Sequence, residues 1–107
     1  MKALLIPASG PVQHVEQDGL GALRRLIDGH IQALPVQGRA DATAYVNEEG
    51  LLKGMPANAR ATRLLGVQIV GPAVLCGCDA ATGEETPIPD DLAQAVLAVS
   101  ASGRTDG

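Results

Sequence analysis

The sequence predicts an α+β domain, a small antiparallel or mixed sheet with two to three helices in the order β-α-β-β-α-β-α, and three observations carry that prediction. Short apolar runs bounded by Gly and Pro alternate with stretches whose apolar residues recur at helical spacing. The 107 residues are 46% apolar, which at this length supplies one core and not two. That core is aliphatic: 17 Ala, 13 Leu, 9 Val and 5 Ile stand against a single aromatic residue, Tyr45. The element order is that of a split-βαβ, ferredoxin-like sheet.

Lys2 to Ile6 reads as the first strand, stopped by the Pro7-Ala8-Ser9-Gly10-Pro11 breaker. The alternation from Val12 to Gln17 is too weak to assign. Asp18 is placed to cap a helix over residues 18–28, with Leu20, Leu23, Leu26 and Ile27 on one face and Gly29 just past its end. Ile31 to Val36 is a strand, closed by Pro35 and the turn-rich Gln37 to Asp41. Thr43 to Val46 has β character and runs into Asn47-Glu48-Glu49-Gly50, where Gly50 is expected at positive φ in a short hairpin and Leu51 to Lys53 as the return strand. Asn58 caps a short helix over Ala59 to Leu65, and Gly66 stops it. Val67 to Cys78 is the most continuously apolar stretch, one long bent strand or two short ones, and the expected centre of the sheet. An acidic loop from Asp79 to Pro89 leads to a last helix that starts at Asp90-Asp91, with Leu92, Ala95, Val96 and Val99 as its apolar positions. These elements make residues 1–99 a single domain, with 100–107 as a flexible C-terminal tail.

Composition narrows the function classes. Eight Lys and Arg against twelve Asp and Glu leave a net charge of −4, so a phosphate backbone is repelled and duplex DNA is not an expected partner. With one aromatic residue there is no stacking platform for single-stranded nucleic acid. The N-terminal apolar run ends at Pro7 and no stretch approaches the ~20 apolar residues of a membrane span, so the reading is cytoplasmic with no membrane partner. An open antiparallel edge is compatible with a homodimer.

No motif supplies a reaction. Cys76 and Cys78 share a strand face, about 6.5 to 7 Å apart along the chain, and read as small apolar thiols; a closed metal site would have to recruit His14 and His30 as well. No metal or other cofactor is expected, and no catalytic residue is assigned. Gly19-Leu20-Gly21 lacks the third glycine of a dinucleotide fingerprint, and the pairs Glu48-Glu49, Glu84-Glu85 and Asp90-Asp91 are sequence neighbours whose side chains diverge. The densest polar segment runs from Tyr45 to Arg63. Within it Tyr45, Asn47, Asn58, Arg60 and Arg63 are the candidate ligand-binding residues: Arg60 and Arg63, three apart on a short helix, share a face that suits a small phosphorylated or carboxylated ligand. Against that stands the commoner role of a charged helix face, in which the same two arginines solvate the outer surface and pair with Glu48 or Glu49. Tyr45 stands two residues before the Asn-Glu-Glu-Gly turn, as a core anchor beneath it or as the one flat surface a ligand could use.

Three passages, MKALLIPASGPVQHVE, LIDGHIQALPV and above all YVNEEGLLKGMPANARATRLLG, resemble a family of small domains of unknown function from actinobacteriophages and actinobacterial and plasmid sequences. The likeness covers about residues 1–95, its most specific part being Asn-Glu-Glu-Gly followed by Gly-x-Pro-x-Asn and Ala-Thr; an Ala/Thr-rich strand and a shortened C-terminal loop depart from it. The resemblance implies a phage or prophage accessory protein in the host bacterial cytoplasm. The expected activity is non-enzymatic: binding a host protein, or sequestering a small anionic ligand, in host takeover or anti-defence. A ligand- or nucleotide-binding module on the Asn47–Arg63 segment and a small Cys/His-dependent enzyme are the alternatives.

Overall fold

A computed structural model describes the backbone of residues 1–106 and the side chains of residues 1–98. Among them are six strands and three helices: β1 (Lys2–Ile6), β2 (Gln13–Glu16), α1 (Leu20–Ile27), β3 (Ile31–Val36), β4 (Arg39–Asn47), α2 (Ala59–Leu65), β5 (Ala73–Cys78), β6 (Glu85–Thr86) and α3 (Asp90–Asp106). The chain is α+β as the pattern predicts. The strands form one sheet in the order β2-β1-β5-β4-β3, with β6 on the end of β5, and every pairing is antiparallel.

The alternation of strand side chains divides the core into two layers. Leu4, Ile6, Ala42, Ala44, Val46, Ala73 and Leu75 face one side and are covered by Ala61 and Leu65 of α2, by Ile88 just before α3 and by Leu92 and Ala93 at its start. Ala3, Val74 and Cys76 face the other side, where Leu23 and Ile27 of α1 cover them and Leu5, Val15, Ile31 and Tyr45 pack at the margin. β5 is buried on both faces and lies in the middle of the sheet, as its unbroken apolar composition requires.

Local signals fixed several boundaries. Asn58 caps α2, its side chain accepting from Ala61 N at 3.0 Å, and Gly66 ends the helix at φ 74°. α1 ends on Asp28, which takes the left-handed conformation at φ 65°, followed by Gly29 at φ 147°.

Elsewhere the structure corrects the reading. The cap of α1 is Gly19, with no side-chain bond; Asp18 stands one residue too early. The weak alternation after Val12 is a true edge strand, β2, paired with β1 from Lys2–Glu16 to Leu5–Gln13. β4 is longer than Thr43 to Val46 because its hairpin partner is β3, reached through Gln37-Gly38 with Gly38 at φ 76°. Leu51 to Lys53 is therefore no return strand but part of a closed turn, and Gly50 is not among the glycines at positive φ. Only Ala73–Cys78 of the long apolar stretch is strand; Val70 makes an isolated bridge to Ala57. The acidic loop carries β6. The ferredoxin-like expectation fails on pairing: β1 lies between β2 and β5, whereas a split-βαβ sheet sets its first strand beside its third. The expected flexible tail at residues 100–107 falls where no side chain is described, and Gly107 lies outside the described residues altogether.

Candidate functional site

The turn after β4 is built by Asn47. Its side chain is 6% exposed, donates from Nδ2 to the Ile27 and Asp28 carbonyls at 3.2 and 3.1 Å, and accepts from Glu49 N at 2.8 Å. One amide thereby ties the free carbonyls at the end of α1 to the start of the turn. Lys53 adds a second tie, Nζ to the Asp28 carbonyl at 3.0 Å. Backbone bonds close the rest: Glu48 N to His30 O, Lys53 N to Glu49 O, Gly54 N to Leu51 O and Met55 N to Gly50 O, all between 2.9 and 3.1 Å. Gly50 is buried, and a Cβ there would stand 2.7 Å from Val70 Cγ2. Its glycine is required by close approach and not by backbone conformation.

At the top of this fastened turn sit Leu51 and Leu52, 76% and 87% exposed. Glu48 and Glu49 are exposed beside them. The arrangement is a rigid apolar projection with an acidic flank. Sequence reasoning missed it by assigning these leucines to a strand. Their adjacency gave no signal, because the core lies on both faces of the sheet and consecutive apolar residues of a strand pack into opposite layers, as Leu4 and Leu5 of β1 do.

The five residues expected to bind a ligand do not come together. Tyr45 and Asn47 lie on the α1 side of the sheet, and Asn58, Arg60 and Arg63 belong to α2 on the other. Asn58 is fully buried; beyond its cap bond, Nδ2 donates to Ile6 O and Gly71 O, each at 2.9 Å. All of its bonds are internal, so it positions backbone. Arg60 donates to Pro7 O at 2.7 Å and thereby joins α2 to the loop after β1, and Arg63 is exposed. Tyr45 is half-buried against the α1 layer. Burial first, and Glu85, Cys76 and Cys78 next, raise its phenol above the ordinary value.

A second polar group went unseen in the sequence because its members are far apart along the chain. Gln17, 2% exposed, donates from Nε2 to Glu85 at 2.7 Å and to Cys76 Sγ at 3.7 Å, and its Oε1 accepts from Gly19 N at 2.9 Å. Above it lies an open depression of about 320 Å³ lined by Met1, Gln17, Asp18, Gly19 and Glu85. Burial, with the Glu85 charge second, pushes the Cys76 thiol up to about 12, so it stays protonated and non-nucleophilic near neutrality. Cys78 is half-buried and its thiol reaches the Asp79 carbonyl. Neither histidine serves these thiols. His14 pairs with Leu4 and so shares the opposite face of the sheet, while exposed His30 precedes β3. Among the described residues no three His, Cys, Asp or Glu side chains are placed to hold a metal, and no helix is long and apolar enough to cross a membrane.

No curated protein and no solved structure matches the chain. Residues 1–100 match the family described as a domain of unknown function, DUF3846, and with nearly the whole chain covered the protein belongs to that family.

Proposed function

We propose that the protein is a phage- or prophage-encoded accessory protein that works without catalysis, by binding a protein of the bacterial host in the cytoplasm. The observation that carries this reading is the pair Leu51–Leu52, the two most exposed large apolar side chains among the described residues, held on a turn with hydrogen bonds across its whole length. Apolar side chains on a fixed loop cost the partner-free protein solubility and are presented ready to bind, with little ordering left to do on association. The turn is also the passage on which the family resemblance is most specific, and its other residues, Asn47, Gly50 and Lys53, are fully accounted for by holding it in shape.

Affinity capture from an actinobacterial lysate, with the wild-type chain and with Leu51→Ser/Leu52→Ser side by side, tests the reading. The expected result is a host protein retained stoichiometrically by the wild type and lost from the variant, whose melting temperature is unchanged because both side chains are exposed. Recovery of nothing above background, or equal recovery by both, overturns it.

A further inference from the structure

The turn that presents Leu51 and Leu52 also specifies the chemistry of what it meets. This inference rests on the reading of that turn as a protein-binding surface. We infer that the occupant is a protein with an apolar hollow rimmed by lysine or arginine, into which Leu51 and Leu52 insert while Glu48 and Glu49 meet the rim.

Charge carries the choice. Glu48 and Glu49 are exposed on the turn itself, and Asp28 is exposed at the end of α1 to which the turn is tied. Lys53, the one cation of the turn, is directed back at the Asp28 carbonyl at 3.0 Å. Arg24 and Arg25 lie about a turn earlier on α1, and the chain as a whole carries −4. An apolar tip with this flank is repelled by an anionic membrane or a nucleic acid. It is also unsuited to a second copy of itself, since a two-fold contact centred on the leucines sets Glu48 and Glu49 against their own counterparts. In the depression lined by Met1, Gln17, Asp18, Gly19 and Glu85, the one cation among the lining residues, the Met1 ammonium, is already paired with Glu16 at 3.0 Å and Asp18 at 3.7 Å, so it offers a second copy no cationic rim either. A cationic rim resolves both needs: it accelerates encounter, and it admits the acidic flank while the leucines are desolvated.

The test uses the purified protein that affinity capture recovers, titrated with the full chain as wild type, Leu51→Ser/Leu52→Ser and Glu48→Lys/Glu49→Lys, at low and high salt. A photo-crosslinker at position 52 maps where the turn lands. Expected are a more than tenfold weaker Kd for each variant, a further weakening of about tenfold on raising salt from 0.05 to 0.5 M for the wild type that is reduced in the charge-reversed variant, and a crosslink beside Lys or Arg. Loss of binding in the leucine variant alone, with no effect of charge reversal or salt, overturns the cationic rim and leaves protein binding standing. Failure to capture any protein, binding to neutral phosphatidylcholine vesicles, or a dimer of the chain in sedimentation that the leucine variant breaks, overturns both.

Discussion

Replacing Asn58 separates two roles that one side chain performs. The amide is fully buried, caps α2 through Oδ1, and donates through Nδ2 to carbonyls of β1 and of the segment before β5. Asn58→Ala removes a cap worth about 1 kcal/mol and leaves two carbonyls without their donor at roughly 1 kcal/mol or more each. The total is about 3 to 4 kcal/mol, or roughly 15–25 °C in Tm for a domain of this size. Asn58→Asp is the decisive comparison, because a carboxylate caps a helix as well as an amide does but donates nothing when ionised. It therefore sets an oxygen against two carbonyl oxygens in a site without solvent, and at pH 7 it costs at least as much as alanine. Burial raises the introduced carboxyl above the ~3.9 of the unfolded chain. Relative to wild type, the variant is then least destabilised below about pH 4 and loses stability as the pH rises through its folded pKa. Urea melts of the three proteins from pH 3 to 8 read this directly. An aspartate variant as stable as wild type at pH 7 refutes the donor role and leaves Asn58 a helix cap alone.

Gly50→Ala places a methyl 2.7 Å from Val70 Cγ2 and 3.2 Å from the Val70 carbonyl; denaturant melts should show a loss of about 1–3 kcal/mol, and an unchanged midpoint contradicts the packing of the turn. Arg39 holds Asp41 and Asp91 through paired bonds of 2.8 to 3.1 Å, fixing the start of α3 to β4. Both carboxyls are lowered by that guanidinium, so the stability they lend is present above about pH 4 and lost as the pH falls through their folded values. Arg39→Ala should flatten the acid limb of a pH–stability curve, and an identical limb removes the clasp. Iodoacetamide at pH 8 should modify Cys78 well ahead of Cys76, whose thiol burial holds near 12; equal labelling in the folded protein, read by mass spectrometry, refutes the buried position.

What was legible in the sequence was local. Asn58 and Gly66 mark the ends of α2 because capping depends on residues within one turn, and the apolar run ending at Cys78 marks the central strand because a strand buried on both faces needs no alternation. β2 was missed since an edge strand has a weak pattern, and Leu51–Leu52 was misread since the partner of β4 is chosen by the Gln37-Gly38 hairpin and not by the next apolar pair.

The sequence by itself determined the aliphatic α+β class and the cap and stop of α2. Tertiary structure alone decided the strand order, the placement of Gln17 against Glu85 across 68 residues, the separation of Asn47 from Asn58 by the sheet, and the exposure of the two leucines. The physical reason is range: capping and strand burial are settled within a few residues. Which strands pair, and which side chains are left in water, follows from closing long loops around one shared core.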